Sequence, residues 1–298
     1  FQAFVDDLAM TSYDLYKYYL GETQAALELG QQALDQLPVR LAFPRAAINI
    51  LLVDIFTNTD TGQVSQAIAC SQDAMAASLS SSNITTVLYA ADRLVRALVL
   101  QGQYQATEAV FQQVFGLVQE RDLTYAPVLE VLYLRYARVL YELNRLDEAE
   151  RVIRDGISLS QKFGAQNGEL WCRLLLRQAQ TARGVARDAV DPLATDEALD
   201  ALLLRLSDGQ SQHPAIVQLA SLRAQLWTHE TQRARAERWA RDSSFSLDDE
   251  PTCDQVPNYL ALAHVCQALE TSLPQVLALL EKLHQLALRK GHIEQIIE

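Results

Sequence analysis

The sequence predicts an all-α fold: a superhelix of about seven antiparallel helical hairpins in units near 40 residues. Three observations carry that expectation. Apolar residues recur at helical spacing along almost the whole chain. No segment alternates apolar and polar residues with the period of a strand, and no Asn-Gly or Asp-Gly turn lies between β-branched runs. A turn residue followed five positions later by a small one keeps returning: Gly21/Ala26, Gly62/Ala67, Asn144/Ala149 and Thr231/Ala236, with Gly102/Thr107 and Thr271/Val276 as weaker copies. The turn positions are 41, 40, 42, 87 and 40 residues apart. The double interval hides one degenerate repeat, placed on Asn167–Arg183 and Thr195–Leu206.

Each repeat reads as a first helix, a short turn, a second helix and a longer loop. Gly or Asn at the turn suits a left-handed residue at the end of the first helix. The small residue sits in the second helix, where a Cβ-sized group admits close approach of the first. Repeat one spans 4–20 with 22–37, and its second helix carries Ala26, Gly30 and Ala33 before Pro38 ends it. Repeats two and three span 41–58 with 63–79 and 83–101 with 103–120; Ser78–Ser82, broken only by Leu79, reads as a flexible turn between them. Repeat four spans 125–143 with 146–163, and Val128, Val131, Leu132, Tyr136, Val139, Leu140 and Leu143 mark one helical face. Repeat five spans 167–185 with 195–206, interrupted at 186–194 by an extended turn around Asp191-Pro192. Repeat six spans 214–229 with 231–241, and the acidic, turn-rich stretch 242–255 reads as a long loop. Repeat seven spans 256–270 with 274–290, and 291–298 would open an eighth. Trp171, Trp227 and Trp239 fall at core-like positions and suit packing between repeats, with ligand stacking as the alternative. One hairpin cannot bury its own apolar face, so neighbours must stack, which makes 1–298 a single domain with an extended concave surface.

Composition narrows the function. With 49% hydrophobic and 21% charged residues, the 298-residue chain is neither disordered nor low-complexity. A formal net charge of −12 opposes binding to a phosphate backbone, and residues 1–92 alone carry ten acids against Lys17, Arg40 and Arg45. Direct contact with nucleic acid is therefore not expected. Cys70, Cys172, Cys253 and Cys266 form no CxxC pair and read as free thiols of a reducing cytoplasm. No stretch approaches the roughly 20 apolar residues of a membrane span, and Phe1–Asp7 carries acids where a signal peptide carries bases. The chain opens without Met and stops at Glu298 inside a helical pattern, so a piece of a longer protein is expected. There is no GxxxxGK[ST] loop, no HExxH and no Cys/His cluster at zinc spacing. His284 and His292 straddle Gly291 and suit surface or helix-end positions. Asp248-Asp249-Glu250 lacks the alternating ligands and turn Gly of a Ca²⁺ loop and reads as a solvated acidic loop. No nucleophile–base or paired-acid constellation emerges, so the expectation is a non-enzyme without a cofactor.

The turns and small residues resemble the tetratricopeptide repeat (TPR), with units longer than its usual ~34 residues. The chain further resembles the superhelical domain of MalT-like, LuxR-family ATP-dependent transcriptional regulators. The specific residues are Ala236-Glu237-Arg238-Trp239-Ala240-Arg241 and Leu247-Asp248-Asp249-Glu250-Pro251, then Tyr259-Leu260-Ala261-Leu262-Ala263-His264-Val265, similar to that family's "YLxLARV" helix. A Leu-rich helix from Val276 to Leu283, the Arg289-Lys290-Gly291 turn and Ile293–Glu298 follow in the family's order. His264 stands where the family has Arg. The resemblance implies a sensor module between a signalling NTPase and a C-terminal helix-turn-helix. Its implied partners are a small-molecule inducer or regulatory protein, the other domains of the same polypeptide, and a second copy through self-association. A stand-alone scaffold that binds protein segments in its groove is the competing reading.

TPR-type repeats turn certain first-helix positions toward the concave surface. With Val95, Ala137, Ala179, Ala224 and Ala263 as markers, the next residues form a column: Arg96, Arg138, Gln180, Gln225 and His264. Seven positions earlier stand Tyr89, Val131, Arg173, Gln218 and Pro257. Tyr89, Arg96, Arg138, Arg173, Gln180, Gln218, Gln225 and His264 are thus candidate groove residues, where Arg forks suit carboxylates, phosphates or sugar hydroxyls. A solvated helix face would carry polar residues there as well.

Overall fold

Left-handed backbone residues close the hairpins. Gly102 (φ 69°), Asn144 (φ 57°) and Gly184 (φ 69°) each follow the end of a helix. In each case the next amide reaches back five residues: Gln103 to Leu98 O, Arg145 to Leu140 O and Val185 to Gln180 O, at 2.9, 2.9 and 3.0 Å. At the Thr271 copy the left-handed residue is Glu270 (φ 58°), one position earlier than expected, and Thr271 N donates to Cys266 O. A β-branched residue resists the left-handed region, so the unbranched neighbour takes it.

The computed structural model describes residues 22–58, 63–121, 128–185, 189–207, 214–229, 232–252 and 255–292. Among them are thirteen α-helices and no strand. They are α1 Thr23–Gln36, α2 Ala42–Asn58, α3 Val64–Ser80, α4 Ile84–Leu100, α5 Tyr104–Glu120, α6 Val128–Glu142 and α7 Leu146–Phe163. Then come α8 Gln166–Ala182, α9 Asp196–Ser207, α10 Pro214–His229, α11 Arg233–Asp242, α12 Val256–Ala268 and α13 Leu273–Lys290. Helix for helix, these are the hairpins the periodicity predicts. The helices expected at 4–20 and from 291 to 298 lie outside the described residues or only brush them.

The small residue of each repeat explains the pairing. Ala26, Ala67, Thr107, Ala149 and Ala236 are fully buried, and Val276 is 2% exposed. The first-helix markers Val95, Ala137, Ala179 and Ala224 are equally closed off. Side chains this small present no bulk between paired helices and so allow close packing. Other ends are fixed locally. Asn83 caps α4 by accepting from Thr86 N at 3.2 Å. Arg45 of α2 donates to Leu37 O at 2.7 Å and so occupies the carbonyl end of α1, which stops just before Pro38. The serine run ends α3 at Ser80, one residue past the expected 79, and Ser81–Ser82 form the turn with Ser82 left-handed (φ 55°). Ser78 is buried within α3, its hydroxyl satisfied by Ala74 O at 2.7 Å.

Two compact units emerge, Phe1–Arg135 with Ala287–Glu298, and Tyr136–Leu286. In the first, α2 packs on α1, α3 and α4, and α4 packs on α5. Its core joins Ile48, Leu52, Ile55 and Phe56 to Ala67, Ala97 and Leu100. In the second, α8 contacts α7, α9 and α10, and α10 contacts α11 and α12. Leu170, Leu174, Leu199, Leu202, Leu219 and Leu226 form one cluster there, with Trp171 against it. Trp227 and Trp239 flank another built on Ala224, Ala236, Val265 and Leu269, so all three indoles pack between repeats. The 242–255 stretch is not a bare loop: Phe245 and Leu247 pack on the last hairpin, and Tyr259 OH donates to Asp249 at 2.9 Å.

Overpacking one crossing tests this scheme. Ala67→Leu is expected to cost about 2 kcal/mol in chemical denaturation, whereas Gln66→Leu, on the exposed side of α3, changes little. Equal effects of the two would remove the small-residue crossing as the organising contact.

Candidate functional site

In the first unit, α2 and α4 lie side by side and build an open hollow of about 410 Å³. From α2 it takes Phe43, Ala47 and Ile50, four and three residues apart and therefore on one face. From α4 and its cap come Asn83, Thr85, Thr86 and Tyr89. Phe43 and Tyr89 are 44% and 40% exposed, so two aromatic rings stand at the opening. The hollow is apolar with a few hydroxyl and amide groups at its edge, an arrangement that accepts the apolar face of a ligand and orients its polar groups.

One turn further along the same faces lies an ion chain. The Arg93 guanidinium donates through Nε and Nη2 to both oxygens of Asp54 of α2, at 2.9 and 3.0 Å. Its Nη1 reaches Asp92 Oδ2 at 2.7 Å, and Arg135 of α6 donates to the other Asp92 oxygen. Arg96 stands 3.8 Å from Asp54. Three successive first helices are thus tied by charge. Asp92 is fully buried. Burial pushes its carboxyl upward, but Arg135 and Arg93 prevail and hold it below the usual range. Burial also presses on Arg93, and Asp54 and Asp92 overcome it to keep the guanidinium firmly charged. Arg96 moves the other way, lowered by burial and by the like charge of Arg135.

In this unit the candidate Tyr89 lines the hollow and Arg96 borders the ion chain. In the second unit, Arg138 pairs with Glu142 at 2.6 Å and lies over the Tyr141 ring. Arg173 bonds Glu169 and Leu193 O, the latter at 3.2 Å. Gln180 is buried; it donates to Glu150 at 3.1 Å and accepts from Asp191 N at 3.2 Å. Gln225 of α10 and His264 of α12 meet at 3.1 Å, so these two column neighbours do touch across repeats. Gln218 belongs to α10, and its side chain lies outside the described residues. Phe43, Asp54, Asp92, Arg93 and Arg135 were not among the candidates. The signal for the charged ones is their separation: Asp54 and Arg93 are 39 apart and Asp92 and Arg135 are 43 apart, each close to one repeat.

Among the described residues no group of His, Cys, Asp and Glu is placed to hold a metal ion, and no helix is long and apolar enough to cross a membrane. Cys70, Cys172 and Cys266 are not joined in disulfides, and the Cys70 thiol is pushed up to about 11 by burial and Asp73.

Stacked hairpins with a crossing of small residues, joined through their first helices, define a helical-repeat domain of the tetratricopeptide class. The family described as MalT-like TPR region matches residues 14–298, and the chain belongs to that family. It is 29% identical over 163 residues to the HTH-type transcriptional regulator MalT of Vibrio cholerae serotype O1, covering 55% of this chain and 18% of that protein. It is 25% identical over 184 residues to the HTH-type transcriptional regulator MalT of Yersinia enterocolitica serotype O:8, covering 60% and 20%. The chain thus aligns with about a fifth of the length of these curated relatives.

The ion chain yields a pH prediction. The folded carboxyl of Asp92 titrates below its unfolded value near 3.9, so its contribution is complete above about pH 5 and fades as pH falls through the folded value. Asp92→Asn should lower stability by about 2 kcal/mol at pH 7, because partly exposed Arg135 loses its carboxylate partner while Arg93 keeps Asp54. It should also flatten the acid limb of the stability curve in urea titrations between pH 3 and 7. An acid limb identical to that of the wild type would show that Asp92 is not held ionised by its partners.

Proposed function

We propose that this chain is the effector-sensing and autoregulatory domain of a MalT-type, LuxR-family ATP-dependent transcriptional regulator. The observation that carries the reading is the MalT-like TPR match across 14–298, in a chain aligned with a fifth of relatives that are helix-turn-helix regulators. Nucleotide hydrolysis and DNA binding fall to other parts of the polypeptide, and this domain is a non-enzyme that works without a cofactor of its own in the cytoplasm. Its net charge of −12 agrees with a role away from the DNA. The hollow between α2 and α4 is the preferred place for a small-molecule inducer, with Tyr89 and Phe43 as the ring contacts and Arg96 at the charged end. Effector binding there would act on the neighbouring repeats through the Asp54–Arg93–Asp92–Arg135 chain, and so on contacts with the NTPase and DNA-binding domains or with a second copy.

The test uses the complete regulator and a reporter promoter. Removing the segment should abolish the response to effector, whether transcription is left off or left on. In the intact protein, Tyr89→Ala should raise the effector concentration for half-response at least tenfold while thermal stability stays within a few degrees. A regulator that still responds after the segment is removed would refute the sensing role. An unchanged half-response in Tyr89→Ala would remove the hollow from it.

A further inference from the structure

The connection inside the fifth hairpin differs from the others. Three residues join α4 to α5 and three join α6 to α7, whereas thirteen separate α8 from α9. The end of this connection, Asp191–Ala194, lies against side chains of α7 and α8, and its last residues pack on α9 with Ala194 fully buried. Asp191 Oδ2 accepts from Arg154 of α7, and Asp191 N donates to Gln180 Oε1 of α8 at 3.2 Å. Two residues on, Leu193 O accepts from Arg173 Nη1 at 3.2 Å. The segment also folds on itself: Asp191 Oδ1 accepts from Leu193 N at 2.8 Å, followed by a single 3₁₀ turn over Pro192–Ala194. A carboxylate, an amide and a carbonyl of one short peptide are therefore each read by a separate side chain.

The recognising groups do not depend on this peptide for their positions. Glu150 accepts from Gln180 at 3.1 Å, from Arg154 at 3.1 Å and from Arg183 at 2.6 Å, which ties α7 to α8. Glu169 accepts from Arg173 and, at 2.9 Å, from Gln161. The cleft is thus preorganised, which lowers the cost of binding. Its present occupant is also incomplete. Arg173 Nε is buried and has no hydrogen-bond partner, while the side chain as a whole is 11% exposed. An orphaned buried donor is a standing penalty that a better-fitting acceptor would relieve.

We infer that the α7–α8 cleft is a peptide-recognition site for an acidic Asp-Pro turn of a partner protein, and that Asp191–Ala194 is its self-supplied, displaceable occupant. The partner's Asp takes Arg154, its backbone amide takes Gln180, and its carbonyl two residues on takes Arg173. Ala194 is fully buried and its 3₁₀ turn packs on α9 as well as α8, so the partner's turn must replace that contact too. This inference stands apart from the regulator reading, because it needs only the isolated chain.

The probe is fluorescein-labelled Asp-Pro-Leu-Ala peptide, blocked at its C-terminus and read by anisotropy. In the wild type the internal segment competes at a high effective concentration. Asp191→Asn, isosteric and still able to form the turn, weakens that competitor and should bind the probe at least tenfold more tightly than wild type. Adding Arg154→Gln should remove the gain, and an Asn-Pro-Leu-Ala probe should bind at least tenfold more weakly. Equal affinity in wild type and Asp191→Asn, or a gain untouched by Arg154→Gln, overturns the inference. Hydrogen exchange of wild-type protein with millimolar unlabelled peptide covers a variant that fails to fold. Faster exchange at Leu193 and Ala194 supports displacement, and unchanged exchange there overturns it.

Discussion

Everything in this fold rests on how closely two helices can cross. At one position in each second helix the side chain is no larger than a short aliphatic or hydroxyl group, and at Ala26, Ala67, Thr107, Ala149 and Ala236 none of it reaches solvent. Ahead of Thr107 and Ala149, left-handed Gly102 and Asn144 set the angle of return, and the small side chain sets the distance. Neither device alone would hold a hairpin in water. Both need the apolar faces that neighbouring repeats supply, as when Ile48, Leu52 and Phe56 of α2 close over Ala67 of its own hairpin and over Ala97 and Leu100 of the next.

Placing the first helices side by side has a chemical consequence. Some polar residues on those helices meet partners on the first helix one repeat away: Arg93 forks onto Asp54, Arg135 reaches Asp92, and Gln225 meets His264. Others pair elsewhere, Gln180 with Glu150 of α7 and Arg138 with Glu142 of its own helix. Such a layer is a set of linked contacts as much as a lining. A change at any member is felt by the residues it pairs with.

The helices were legible because a 3.6-residue period and a 40-residue repeat are properties of the chain itself. A deviation arises where side-chain shape outweighs the pattern: Glu270 takes the left-handed place expected of β-branched Thr271. Of the candidate groove, Tyr89 could be found because its column position turns it outward. The Asp54–Arg93 fork has a weaker signal, an opposite-charge pair 39 residues apart, which gains meaning only when first helices one repeat apart are read side by side. Arg173 and Gln180 satisfy the column pattern, but the pattern says nothing of the Asp191–Ala194 segment that engages them.

The central claim is that each hairpin is closed by its own small-residue crossing but made stable by its neighbours. Circular dichroism of a synthetic peptide covering 84–121, the α4–α5 hairpin, measured beside the intact chain, tests it most directly. The account predicts that the peptide is largely unfolded in water at a temperature where the intact chain is helical. A peptide that melts cooperatively near the transition of the whole chain would contradict it.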